Sequence, residues 1–223
     1  MKKLITSAAV CSIALCALVS CGDKSSKKNG DIVGKWSMSG IENSGIEDGG
    51  LIFKADGKGS VFEDTSSILH FESEGFNIGG TVISDNYIKE DGDNLVVDIE
   101  GKEMLDMTRL EGRDGKDGLY SLKGGMLYTS IVEKMSANGS FDENNLDITI
   151  DFDGAHSEVI FNNIFTYTTK KDKLTISGFS GFLKEDSDSA AANGGSITAD
   201  YKISGNTLSI IDSKGTETLT RVQ

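Results

Sequence analysis

From Asp31 onward the chain is a succession of short runs rich in Val, Ile, Phe, Thr and Tyr, broken by Gly, Asp and Asn. Alternation over four to eight residues is the mark of half-buried strands. The pattern predicts strands over 32–38, 51–55, 59–63, 68–71, 81–88, 95–99 and 103–110, and then over 119–122, 146–152, 158–162, 165–169, 173–177, 196–203, 207–211 and 217–222. Turn pairs separate them: Asp56-Gly57, Asp91-Gly92, Asp153-Gly154, Gly205-Asn206 and Lys214-Gly215. The even spacing argues for antiparallel barrels or sandwiches. One stretch changes period. Leu127, Tyr128, Ile131, Val132 and Met135 recur at helical spacing and Asn138-Gly139 supplies a stop, which predicts a helix packed as a lid or plug, with Met126, Leu127 and Met135 lining an apolar mouth.

The first thirty residues follow different rules. Met1-Lys2-Lys3 is a short positive segment, and Leu4 to Val19 is apolar and uncharged, too short for a stable membrane span. It ends in Leu18-Val19-Ser20-Cys21, which resembles the bacterial lipobox. The resemblance implies a signal peptide over 1–20, removed by cleavage, and a diacylglyceryl group on the thiol of Cys21. Each buried methylene contributes about 0.8 kcal/mol, so two or more acyl chains anchor stably where one holds only marginally. Cys11 and Cys16 would leave with the signal peptide, so no disulfide and no Cys-based metal or nucleophile site is expected in the mature chain. Residues 21–30 are polar and rich in Ser and Lys, a flexible tether of roughly 30 Å when extended. The expected location is the cell envelope, membrane-anchored by lipid and outside the cytoplasm.

Order repeats along the rest of the chain. Gly34-Lys35-Trp36-Ser37-Met38-Ser39-Gly40 aligns with Gly118-Leu119-Tyr120-Ser121-Leu122-Lys123-Gly124, and Phe53-Lys54-Ala55-Asp56-Gly57 with Ile150-Asp151-Phe152-Asp153-Gly154. Gly79-Gly80-Thr81-Val82, Tyr87, Gly92, Leu95 and Arg109 parallel Gly194-Gly195-Ser196-Ile197, Tyr201, Gly205, Leu208 and Arg221. Two tandem units follow, 31–112 and 113–223, the second enlarged by the helix and by the Ser187–Gly195 loop.

Each unit opens with Gly-x-Trp or Gly-x-Tyr and closes with an Arg. This resembles the calycin signature of lipocalins and fatty-acid-binding proteins, and most of all the short lipocalin-like domains of bacterial lipoproteins. The resemblance implies an all-β fold of two tandem small antiparallel lipocalin-like β-barrels or sandwiches, with one helix in the second. It also implies that Trp36 pairs with Arg109, and Tyr120 with Arg221, as structural residues that close each unit. The first unit in particular is small for a ligand cavity, and a pocket is expected rather in the second, under the helix.

Charge narrows the partners. The formal net charge is −13, and residues 1–20 carry Lys2 and Lys3 and no acid, so the rest is more acidic still. Nucleic acid, whose binding rests on Lys and Arg neutralising phosphate, is excluded as a partner. The chain has no proline, so its 27 glycines, with Asn and Asp, must make the turns. Chemistry is sparse. His70 and His156 fall in no metal-ligand spacing, and the acidic turns 90–94 and 114–118 lack the calcium-loop pattern. Neither a Gly-x-Ser-x-Gly elbow nor a P-loop occurs. No catalytic residue, cofactor or metal is assigned. The expectation is a lipid-anchored, non-enzymatic binding or interaction protein of the cell envelope, its partner a small apolar ligand or an envelope protein. An envelope inhibitor of a cationic enzyme such as lysozyme is the alternative, and a hydrolase on a β scaffold the third reading.

Overall fold

The computed structural model describes residues 31–38, 49–137, 146–178, 196–213 and 215–222. The expected β class holds: among the described residues the strands are antiparallel, with one α-helix. In chain order the strands are β1 (Gly34–Ser37), β2 (Gly49–Phe53), β3 (Lys58–Asp64), β4 (Leu69–Glu72), β5 (Gly75–Ile78), β6 (Thr81–Ser84), β7 (Ile88–Asp91), β8 (Asn94–Ile99), β9 (Lys102–Gly112) and β10 (Gly118–Gly124). Helix α1 (Gly125–Ala137) follows, then β11 (Asp147–Asp153), β12 (His156–Lys170), β13 (Lys173–Ser177), β14 (Ser196–Ser204), β15 (Thr207–Ile211) and β16 (Thr216–Arg221). Cys21, the tether and the Ser187–Gly195 loop lie outside the described residues.

Three local expectations shift. The four-residue β5, Gly-Phe-Asn-Ile, is too short to show alternation by itself, and only its pairing with β4 and β6 makes it a strand. The run 81–88 is broken by a single 3-10 turn, Asp85–Tyr87, at whose start the Ser84 hydroxyl accepts from the Asn86 amide. The runs 158–162 and 165–169 are one strand, β12, with a register shift between Phe161 and Phe165. At that shift Asn163 takes φ 55°, a conformation Asn tolerates better than most residues. Its amide donates to Ser60 Oγ at 3.1 Å, and its side-chain oxygen accepts from Lys54 Nζ at 3.0 Å.

The pairings do not stop at the boundary between the sequence repeats. β1, β2 and β3 continue through the second half of β12 into β13, β14, β15 and β16, and β16 returns to β1. These eight strands form a closed cycle of antiparallel ladders, the first ring. The second assembly joins the first half of β12 to β11, β10, β9, β8 and β7. The three-stranded sheet β4-β5-β6 folds over the same core, and β6 runs through the 3-10 turn into β7. Each assembly therefore takes its three opening strands from one sequence repeat and its remaining strands from the other. The segments 31–112 and 113–223 thus interleave their strands in space.

Between the assemblies, β3 and β12 pair in antiparallel register. Phe53 lies opposite Gly59, and Phe152 opposite Ser157, so Gly59 and Ser157 are counterparts. Three residues further on, Phe62 and Ile160 are counterparts too, and they lie opposite each other. A local two-fold axis thus passes through that pair. The same registers move the expected alignment by two positions: Gly34 faces Phe53 and Gly118 faces Phe152, so Phe53 corresponds to Phe152 and not to Ile150. The β2–β3 hairpin is longer than the β11–β12 hairpin, and that difference hid the match.

Side chains alternate accordingly. Trp36, Leu51, Phe53, Val61, Phe165, Tyr167, Leu174, Leu208 and Leu219 form the core of the first ring. Leu69, Phe76, Leu95, Val97, Met107, Tyr120, Ile150, Phe152, Val159 and Phe161 form the other. Phe62, Ile160 and Leu119 make a third cluster on the face of β3 and β12 turned away from both. Lys35 Nζ sits 4.1 Å from the Phe62 ring centroid and forms an ion pair with the buried Glu158, tying the repeats across that face.

At Gly59 the backbone of β3 passes under the Phe165 ring, and a Cβ there would fall 1.9 Å from Phe165 Cε2. Gly59→Ala is expected to destabilise the protein by about 1–3 kcal/mol through overpacking, measured as a lower urea midpoint with an unchanged slope.

Candidate functional site

Two clasps join opening strands to closing strands, built from the four residues singled out in the sequence. In the first, Trp36 is fully buried on β1 and its indole nitrogen donates to Ile32 O at 2.8 Å. Opposite it on β16 stands Arg221, whose guanidinium carbon lies 4.2 Å from the ring centroid. That guanidinium donates to Val33 O at 2.9 Å and to Asp31 O at 2.6 Å. Gly34 is required beneath it: the residue has φ 139°, and a Cβ would land 2.5 Å from Arg221 Nη1. Glycine, aromatic ring and arginine are thus one device: a stacked cation that also satisfies the carbonyls of the entering strand.

The second clasp does the same work by different means. Tyr120 on β10 is fully buried, and Arg109 lies opposite it on β9. The Arg109 guanidinium carbon is 5.2 Å from the ring centroid, and Nε donates to the Tyr120 hydroxyl at 2.8 Å. That hydroxyl donates onward to Lys116 O at 2.6 Å, while Arg109 Nη2 reaches Gly115 O at 3.1 Å. Burial pushes the Tyr120 hydroxyl above its ordinary value, and the Arg109 hydrogen bond opposes that rise. Where the indole gives a wide face for stacking, tyrosine gives a smaller ring and an acceptor.

The partners differ from the expected ones. Trp36 packs on Arg221, not Arg109, and Tyr120 on Arg109, not Arg221. The chemistry assigned to each residue is present, but the closing arginine comes from the other repeat. The cause is the strand exchange: β3 leaves the first ring at Asp64, and the strand that continues that ring is the far half of β12.

Elsewhere the acidic turns act as hairpin ends. Asp91 faces Asn94, Lys116 Nζ bonds Asp85 at 2.6 Å, and Asp117 Oδ2 accepts from the Gly154 amide at 2.9 Å. His70 Nε2 sits 3.2 Å from Glu72. His156 Nδ1 meets Ser66 Oγ at 2.9 Å and lies 3.7 Å from Asp64 Oδ2, a grouping the sequence did not reveal because its members are ninety residues apart. Serine and carboxylate approach the same ring nitrogen, whereas a nucleophile relay places them on opposite nitrogens. Ser66 Oγ also accepts from the Ser157 amide at 3.0 Å, so the group braces the corner where β3 passes into β4. Among the described residues no group of three or more His, Cys, Asp or Glu is placed to hold a metal ion.

The helix packs Leu127, Tyr128 and Ile131 onto the second core, against β9 and β10. Met126 is half exposed, and with Glu103, Thr129, Ser130 and Glu133 it lines an open hollow on the outside. The expected apolar mouth does not form from Met126 and Leu127, which point to different sides of the helix; the Met135 side chain lies outside those described. No helix among the described residues is long and apolar enough to cross a membrane. Comparison with family models, curated proteins and solved structures found no match to the chain.

Two outcomes follow for the clasps and the core beside them. In a double-mutant cycle read by urea unfolding, Trp36→Leu and Arg221→Met couple by about 0.5–2 kcal/mol, while Trp36→Leu and Arg109→Met add within about 0.5 kcal/mol. Burial pushes the Tyr167 hydroxyl, which donates to Lys54 O at 2.7 Å, up to about 12. The fold favours the neutral phenol, so this contribution is intact below the ordinary value of 10.0 and is lost as pH rises from there through about 12. Urea midpoints should fall across that interval, and less steeply in Tyr167→Phe.

Proposed function

We propose that this chain is a lipid-anchored, non-enzymatic binding or interaction protein of the cell envelope, built from two lipocalin-like β-barrels and acting through its outer surface. The observation that carries the reading is the filling of both interiors. Trp36, Phe53, Phe165 and Tyr167 occupy one, with Phe53 in edge contact with Phe165 at 5.7 Å and Tyr167 at 4.9 Å between ring centroids. Phe71, Phe76, Phe152 and Tyr120 occupy the other, at 4.8 to 5.8 Å. Small barrels are commonly filled by their own side chains, and aromatic packing of this kind supports recognition at the outer surface. On the outside, Glu90 and Asp117 act on the Tyr120 hydroxyl and Asp85 pairs with Lys116 beside it, an acidic setting that would suit a cationic partner. The anchor rests on the lipobox resemblance at Cys21.

One experiment has two arms. Residues 22–223, titrated with an environment-sensitive lipid probe, should give no saturable, displaceable fluorescence; displaceable binding at micromolar concentration would return the interior as the site. The full chain should take up alkynyl fatty acid and partition with membranes, and Cys21→Ser should lose both. Unchanged partitioning of that variant would remove the anchor from the reading.

A further inference from the structure

The exchange of strands has the symmetry of a dimer. In a two-fold interface a residue on the axis meets its own counterpart, and every other contact occurs twice. Phe62 opposite Ile160 is the axial pair, and Val61↔Phe161 returns on its other side as Glu63↔Val159. At each clasp the aromatic residue comes from one repeat and the arginine from the other. The contacts along the seam join the repeats as well. They include the Lys35–Glu158 ion pair, Lys54 with Asn162 and Asn163, Thr65 Oγ1 with Ser157 Oγ at 2.8 Å, and the Tyr167 amide with Gly57 O at 2.7 Å.

By contrast, the covalent connection between the repeats is a short turn. It runs from Arg113 to Asp117, with one bond from the Arg113 amide to Asp117 O at 3.0 Å and one from the Asp117 amide to Asp114 O at 3.2 Å. Each repeat offers its three opening strands to the other, and neither closes a ring alone. We propose that the protein is a covalently fused, strand-exchanged pair of one-repeat units, held together by the β3–β12 seam and the two clasps, so that the turn joining the repeats is dispensable once the chain has folded. The turn's part is kinetic: it raises the effective concentration of one repeat near the other. Cleavage there leaves a two-fragment protein with every ladder intact.

Registers supply the test. Ser37 lies opposite Thr220, and Ser121 opposite Thr108. Without exchange, Ser37 would lie opposite Thr108. Directly opposed residues of an antiparallel pair have Cα atoms about 4.5–5.5 Å apart, within disulfide reach. In the full chain carrying Cys11→Ser, Cys16→Ser and Cys21→Ser, the pair S37C and T220C should oxidise to a cross-linked form, whereas S37C with T108C should stay reduced. In the same background, a protease site inserted between Arg113 and Asp114, which leaves the Gly115 and Lys116 carbonyls of the Tyr120 clasp on one fragment, and then cut should leave two fragments that co-migrate at the size of the uncut chain, separating only in denaturant. With S37C and T220C present, the cut fragments should remain one band on a non-reducing gel. Cross-linking of S37C to T108C, or fragments that part under native conditions, would overturn the proposal. Should an engineered thiol prevent folding, the cleavage arm decides alone.

Discussion

The pairing of β3 with β12 carries the rest of the structure. Each strand is shared: β3 belongs to the first ring yet borders the second core at its far end, and β12 supplies Val159 and Phe161 to one core and Phe165 and Tyr167 to the other. Because opposed residues on an antiparallel pair point to the same face, Val61 and Phe161 set the two cores on one side of the shared sheet, and Phe62 and Ile160 point away on the other. Slip of this ladder by one residue would turn each of those side chains to the wrong face. The register shift at Asn162–Ile164 and the brace at Asp64–Ser66 lie where each shared strand passes from one assembly to the other.

That arrangement explains why the clasps look alike in sequence and work through different bonds. A guanidinium over an indole needs a flat face and an open glycine beneath it, which Gly34 provides. A guanidinium beside a phenol can hand a hydrogen bond through the hydroxyl to a turn carbonyl, as Arg109 does through Tyr120 to Lys116. Both join an opening strand to a closing strand, β1 to β16 and β10 to β9, and satisfy main-chain carbonyls beside the core. The result is a fold fastened with no cysteine among the described residues, in which aromatic rings pack both cores.

A great deal of this was legible. Alternation located nearly all the strands, and the period change at Leu127 located the helix. The Gly-x-aromatic openings and the arginines at 109 and 221 marked the residues that form the clasps. What escaped was short or broken: β5 has too few residues to display a period, and β12 reads as two strands because Asn162-Asn163 interrupts its apolar pattern without ending its pairing. The alignment of the middle segments slipped by two because hairpin length, unlike hydrophobic pattern, is free to vary between repeats.

The sequence alone determined most of the elements, their turns and the chemistry that fastens first strand to last. These are local matters, set by side-chain period, backbone freedom at glycine and the fit of a cation to a ring. Tertiary structure alone decided which copy answers which. Trp36 could meet either arginine, because both repeats end in the same strand with the same donor, and nothing within a repeat distinguishes its own closing edge from its neighbour's. The choice falls at two corners, where β3 leaves its ring near Asp64 and β12 runs straight through Asn163. Those corners are fixed by contacts between residues 90 to 109 positions apart, such as Ser66 with His156 and Lys54 with Asn163.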